Sequence, residues 1–167
     1  MDQLADDEYE CFTCKRKFRS RVFSISKEWD RVDFDDELPC VEIRDAYGIE
    51  CYCSKYCAVA RRHLVMLREG VPITWPGTEP IELCSKCRAP VDMTEFHLTY
   101  VESQEVHESS IVMRTVDMDY LAVLCRKCQP LPLSERTLEF MEERPTTTQF
   151  DSDYLSKKGP CYIGILC

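Results

Sequence analysis

The stretch Tyr52-Cys53-Ser54-Lys55-Tyr56-Cys57 decides how the chain is organised. Two cysteines four apart at the start of a helix turn both sulfurs toward one point, and Cys11-Phe12-Thr13-Cys14 supplies a second converging pair upstream. Four thiolates at one point make a closed metal site. The plan recurs downstream, where Cys84-Ser85-Lys86-Cys87 is followed by Cys125-Arg126-Lys127-Cys128. Thirty-eight residues separate Cys14 from Cys53 and thirty-seven separate Cys87 from Cys125, so one plan is used twice in outline. The closing pairs differ, Cys-x-x-x-Cys against Cys-x-x-Cys, and little else matches between the halves. Whether they are a true repeat stays open at this level.

Eight of the twelve cysteines fall in these pairs, and close regular pairing of this kind signals zinc rather than a disulfide framework. Two structural zinc ions per chain are expected, one on Cys11, Cys14, Cys53 and Cys57, the other on Cys84, Cys87, Cys125 and Cys128. Cys40, Cys51, Cys161 and Cys167 lack paired spacing and read as free or packed thiols. Cys51 is the nearest rival ligand, but it has no place on the helix start. His63, His97 and His107 are not needed, because both quartets are complete without them.

With 167 residues, 44% of them hydrophobic, the chain has the composition of a globular protein of one ordinary domain or two small ones. The first residues have neither a basic segment nor an apolar core, and no apolar run approaches the roughly 20 residues that cross a bilayer. A soluble protein of a reducing compartment is the expectation. The formal charge of −9 argues against coating nucleic acid with the whole surface. Residues 11–69 nevertheless carry twelve bases against ten acids, while residues 70–167 carry nine against fifteen. Any contact with phosphates is expected in the first half.

Residues 1–10 are acidic and expected to be disordered. A knuckle from Tyr9 to Lys17, a strand from Phe18 to Ile25, a charged loop from Lys27 to Glu37, a strand from Leu38 to Arg44 and a turn at Asp45-Ala46-Tyr47-Gly48 lead into the helix. There Cys53, Cys57, Ala60, Leu64 and Leu67 share one stripe of a 3.6-residue period, which predicts a buried face. Ser54 reads as its N-cap, and Gly70 followed by Pro72 stops it after Glu69. Lys55, Arg61, Arg62 and Arg68 fall on the opposite arc, which predicts a basic solvent face. With Lys15, Arg16, Lys17, Arg19 and Arg21 of the knuckle they form the candidate nucleic-acid or partner surface.

Residues 71–80, with Trp75-Pro76-Gly77, read as a linker. Beyond it come the second knuckle, strands at Phe96 to Tyr100, Ile111 to Val116 and Tyr120 to Leu124, and a short helix from Ser134 to Arg144. Residues 145–167 form a connector and tail. The expected fold is therefore α+β, a small zinc-stapled protein of two treble-clef or zinc-ribbon-like lobes, 11–70 and 81–144, each with a four-cysteine site. No His-x-Glu with Pro-Cys-x-x-Cys, no His-Glu-x-x-His, no phosphate loop and no Gly-x-Ser-x-Gly is present, and the interleaved ligands of a RING are missing. An enzyme and a small-molecule substrate are not expected.

The aromatic-Cys-Ser mark at Tyr52-Cys53-Ser54, with Cys57 closing at a helix start, resembles the FCS or MYM-type zinc finger. With Cys11-Phe12-Thr13-Cys14 and the basic helix to Glu69, it is similar to the late transcription factors of poxviruses and related large nucleocytoplasmic DNA viruses. The resemblance covers about a third of the chain, with Tyr52 where Phe is usual. It implies zinc on Cys11, Cys14, Cys53 and Cys57. It further implies a viral protein of the host cytoplasm or viral factory that supports late transcription by contact with RNA polymerase or a transcription factor, and with DNA through the first lobe. FCS fingers also occur in proteins that bind other proteins, and an interaction module without a transcriptional role, a virion component or an antagonist of host signalling, is the alternative.

Overall fold

The structure, a computed structural model, describes residues 8–109 and 112–129. A short hairpin, β1 (Tyr9–Glu10) and β2 (Lys17–Phe18), precedes a long one, β3 (Arg21–Asp33) and β4 (Cys40–Tyr52), and then helix α1 (Lys55–Glu69). The second half repeats the order, with short hairpin β5 (Ile81–Leu83) and β6 (Pro90–Asp92) before long hairpin β7 (His97–His107) and β8 (Met113–Leu124). The fold is strand-rich, with one helix among the described residues, and fits α+β only loosely. The expected helix from Ser134 to Arg144, the tail, Cys161, Cys167 and most of the acidic segment 1–10 lie outside the described residues.

The long hairpins lie side by side in one antiparallel sheet of order β4-β3-β7-β8. Its central seam pairs β3 with β7 from Arg21↔Val106 to Asp30↔His97. Each hairpin alone would leave a row of backbone N–H and C=O groups unpaired along its first strand, and the seam satisfies both rows at once. The apolar core is equally shared, since Ile25, Trp29, Tyr52, Val65 and Met66 pack in one cluster with Leu98, Tyr100, Val101, Leu121 and Leu124. The expected division into lobes 11–70 and 81–144 is thus crossed by both sheet and core. The expected linker is a fastened strap: Val71 is buried, and the N–H groups of Thr74 and Trp75 both donate to the Leu121 carbonyl, at 3.0 and 3.3 Å.

Two local expectations change for one reason. Lys27 to Glu37 is charged enough to read as a loop, yet β3 runs through it to Asp33; Asp45 to Gly48 carries turn residues, yet lies inside β4. Two register shifts in the β3–β4 pairing, at Ile25/Ser26 and Trp29/Asp30, leave Ile49 and Arg44 of β4 as extra residues and let β4 bulge without leaving the sheet. Two shifts in the β7–β8 pairing likewise make one strand of the two segments expected at Ile111 to Val116 and Tyr120 to Leu124, starting at Met113. β3 itself is regular, so its odd-numbered residues face α1 and its even-numbered ones the opposite side.

That opposite side is polar and buried. Ser24, Ser26, Glu28 and Asp30 of β3 stand there with Thr99, Ser103 and Glu105 of β7, all below a tenth exposed. Asp30 Oδ2 accepts from Thr99 Oγ1 at 3.0 Å and Tyr120 OH at 3.2 Å, and Glu28 Oε1 accepts from Ser26 Oγ at 3.2 Å. Glu28 Oε2, Asp30 Oδ1 and Glu105 Oε2 accept no hydrogen bond. His97 Nε2 lies 3.3 Å from Asp30 Oδ1. Burial pushes Glu28 up to about 7, and burial together with the charge of Glu28 pushes Glu105 up to about 8.

A carboxyl raised in this way costs stability as pH rises. Well below the ordinary value of 4.5 Glu105 is protonated in both states; between there and about 8 the unfolded chain gives up a proton that the folded chain keeps. We predict that Glu105→Gln gains stability over the parent as pH rises from 6 to 9, with its largest gain at pH 9. Denaturant midpoints across that range measure it, and an unchanged slope would show that Glu105 ionises freely in the folded protein.

Candidate metal centres

The two ends of the sheet carry the two cysteine quartets, and the backbone builds them alike. In the first knuckle, Cys11 N–H donates to the Arg16 carbonyl at 2.9 Å and Lys15 N–H to the Cys11 carbonyl at 2.9 Å, with Lys15 at φ 62°. In the second, Cys84 N–H donates to the Ala89 carbonyl at 2.8 Å and Arg88 N–H to the Cys84 carbonyl at 2.9 Å, with Arg88 at φ 65°. One left-handed residue lets each chain fold back over its own sulfurs. The residue after the first cysteine then ties the knuckle to the end of a long hairpin: Phe12 N–H donates to the Cys51 carbonyl at 3.1 Å, and Ser85 N–H to the Val123 carbonyl at 2.8 Å. Cys53 and Cys125, the third members, follow those carbonyls by two residues.

In each group, Cys11, Cys14, Cys53 and Cys57 or Cys84, Cys87, Cys125 and Cys128, the four sulfur atoms lie within 4.8 Å of one another. Cys14 and Cys53 are 3.5 Å apart at Sγ, Cys53 and Cys57 3.9 Å, and Cys87 and Cys125 3.6 Å. A tetrahedral ion with metal–sulfur bonds of about 2.3 Å needs sulfurs about 3.8 Å apart. Both quartets are therefore able to hold a metal ion. Burial opposes ionisation of Cys11, but the backbone N–H groups of Cys14, Cys53 and Thr13 and the Cys14 thiol outweigh it and bring Cys11 down to about 6. Cys84 comes down to about 6 against the same burial, through the N–H groups of Cys125, Cys87 and Lys86 and the Cys87 thiol. Burial and hydrogen bonding to Cys14, Cys11 and Cys57 push Cys53 up to about 12. A cation among the sulfurs is what would let all four ionise together.

Helix α1 begins inside the first quartet. Ser54 caps it, accepting from Cys57 N–H at 3.2 Å; Thr13 Oγ1 donates to the Cys57 carbonyl at 2.8 Å; and Gly70, at φ 71°, closes the other end. Cys40 and Cys51, the remaining cysteines among the described residues, stay apart from both groups. Cys51 is buried beside Tyr9 and Val22, donates to the Glu10 carbonyl at 3.6 Å, and is pushed up by burial to about 11. Cys40, expected as a free or packed thiol, is disulfide-bonded, which its half-exposed place at the start of the edge strand permits. His107 Nε2 meets Tyr9 OH at 2.7 Å, and His63 is exposed on α1.

The faces of α1 are the reverse of those expected. Ala58, Val65 and Met66 are its buried residues, whereas Leu64 is 50% and Leu67 77% exposed. The arginines point inward because the sheet beneath presents carboxylates. Arg61 grips Glu50 with Nη2 at 2.6 Å and Nε at 3.1 Å, joined by Tyr52 OH at 2.6 Å and Arg68 Nη2 at 3.2 Å. Arg62 grips Glu102 at 2.6 and 2.8 Å, with Lys55 Nζ on the same carboxylate at 2.7 Å and the Trp75 ring 4.7 Å from the guanidinium. Burial acts to raise both carboxyls, but the hydrogen bonds and charges of these cations outweigh it and leave Glu50 and Glu102 below the usual range. Lys15, Arg16, Lys17, Arg19 and Arg21 are exposed, Lys17 and Arg19 within 3.7 and 3.6 Å of Glu8. The expected single basic surface does not form, since Arg61 and Arg62 are occupied inside.

No family model, no curated protein and no solved structure matches the chain. The chemistry rests on the geometry alone. Among the described residues, no helix is long and apolar enough to cross a membrane.

The arginine clamps predict a large response to a single change. Arg62→Met leaves Glu102 buried with Lys55 alone, so a loss of about 3 kcal/mol is expected, with much of it recovered in the double variant that adds Glu102→Gln. Urea unfolding of the two variants decides it, and a loss no greater than that of a surface substitution would contradict the clamp.

Proposed function

We propose that the chain is a structural zinc protein that works by binding another protein, with no chemical step of its own. Two sulfur quartets of tetrahedral spacing support the metal, because soft thiolates favour zinc and four of them leave no position for water or substrate. Knuckle, hairpin and helix around Cys11, Cys14, Cys53 and Cys57 support a treble-clef-like reading of the first site. Two hairpins around Cys84, Cys87, Cys125 and Cys128 support a ribbon-like reading of the second.

One observation carries the choice of a protein partner over nucleic acid: Arg61 and Arg62 are turned onto buried Glu50 and Glu102. Cations held by carboxylates on the sheet cannot release counterions from phosphates. The interaction module is therefore the better supported of the two readings. A role in late viral transcription is carried by the motif around Cys53 and Cys57 and names RNA polymerase or a transcription factor as the class of partner. It does not require DNA contact.

Metal analysis of protein purified without chelator should give two zinc ions per chain, and fluorescence anisotropy should detect no binding of duplex DNA at about 0.15 M salt. Salt-sensitive DNA binding that Lys15→Glu with Arg16→Glu removes would overturn the protein-partner reading. A zinc ratio near one or zero would overturn the metal assignment.

A further inference from the structure

A helix that buries arginines must put its apolar residues somewhere, and α1 puts them in solvent. Tyr56, Val59, Ala60, His63, Leu64 and Leu67 are all exposed, Tyr56 by 89% and Leu67 by 77%. Their spacing, i, i+3, i+4, i+7, i+8 and i+11, sets them on one face along about 16 Å of helix. Scattered exposed apolar residues are ordinary, but a continuous helical stripe marks an interaction surface. The helix beneath it is rigidly held, capped at both ends and clamped to the sheet by Arg61 and Arg62. The stripe is also the pattern by which one helix recognises another, ridge against groove.

The border of the stripe says what kind of helix fits. At its N-terminal end stands the first knuckle, tied to α1 by Thr13 and carrying exposed Lys15, Arg16 and Lys17. Among the described residues no ion pair engages Lys15 or Arg16, and Lys15 instead lies 5.6 Å from the centre of the exposed Phe12 ring. At the other end Arg68 keeps about half its side chain in solvent while touching Glu50. Lys55 is also half exposed, though shared between Glu102 and Asp119. A chain of net charge −9 thus places cations at both ends of its one exposed apolar helix stripe among the described residues. Cationic borders at both ends also disfavour a second copy packed antiparallel, which would set Lys55 against Arg68.

We propose that the outer stripe of α1 is the docking surface for an amphipathic helix of a partner protein, apolar along one face and acidic at its flanks. This deepens the protein-binding reading and rests on it. Association buries Tyr56, Leu64 and Leu67 against the partner's apolar residues, and the flanking carboxylates meet Lys15, Arg16 and Arg68. The buried sheet, the quartets and the arginine clamps are unaltered by binding.

The test uses full-length zinc-loaded protein and two synthetic helical peptides that share one leucine stripe, flanked by glutamates in one and by lysines in the other. By fluorescence anisotropy the glutamate peptide should bind at least tenfold more tightly. Leu64→Asp and Leu67→Asp should each weaken it at least tenfold while zinc content and cooperative unfolding stay as in the parent. Leu38→Asp, which alters an exposed leucine in the β3–β4 connection, should leave binding unchanged. Equal affinity for the two peptides, no binding of either, or an equal loss with Leu38→Asp would overturn the proposal. So would a dimer in sedimentation that Leu67→Asp dissociates, since the stripe would then belong to a second copy. Each of these failures leaves the zinc count and the absence of DNA binding untouched, so the docking site and the broader reading fail separately.

Discussion

Four sulfur atoms drawn within 4.8 Å of one another at each end of the sheet are the constraint on which the rest of the structure depends. Each quartet joins a short hairpin to the end of a long one, through a sulfur pair from each and one backbone bond between them, Phe12 to Cys51 or Ser85 to Val123. The knuckle hairpins are only two or three residues per strand and bury little of themselves. Isolated hairpins of that size are marginal in water. Metal binding on the order of 10–16 kcal/mol per structural zinc is large beside the whole stability of a small domain, so an ion held in these quartets would decide whether the knuckles are ordered. The long hairpins are less dependent, because the β3–β7 seam pairs ten consecutive positions and a shared apolar core lies under α1.

The cysteine pairs and the helix ends were legible in the sequence because each depends on local spacing. Cys53 and Cys57 are a helical turn apart, Ser54 is a side-chain acceptor at a helix start, and Gly70 is the residue that tolerates φ 71°. The helix face was not legible. Periodicity alone puts Ala60, Leu64 and Leu67 in the core and Arg61 and Arg62 in water, and it reverses once the sheet is seen to offer Glu50 and Glu102 beneath the helix. Those acids lie eleven and forty residues away from their arginines. A buried bidentate pair is a property of the assembled surface, which no window along the chain reveals.

The polar side of the sheet was missed for a related reason. Strands are read from apolar alternation, but β3 buries Ser24, Ser26, Glu28 and Asp30, so its charged second half looks like a loop. Serine and threonine there bond to one another and to the carboxylates, as in the 3.0 Å contact of Ser24 and Ser103 across the seam. Three carboxyl oxygens remain without a donor and stay neutral more readily than in water. Holding metal would therefore set two titrations against each other. Thiolates bound to an ion would favour higher pH, because protons compete with the ion. The buried acids of β3 and β7 favour lower pH.

The consequence for function is a division of labour within one helix. Its inner face, with Arg61 and Arg62, fastens it to the sheet; its first turn, with Cys53 and Cys57 at the threshold, completes a candidate metal site; and its outer face carries the exposed apolar stripe. All three depend on the first quartet holding the helix start against the knuckle. X-ray absorption at the zinc edge of the purified protein tests that most directly. The account predicts a first shell of four sulfur atoms at about 2.3 Å and no lighter scatterer. A shell containing nitrogen or oxygen would mean that a histidine, a carboxylate or water has replaced a cysteine, and the closed tetrathiolate sites on which the account is built would not exist.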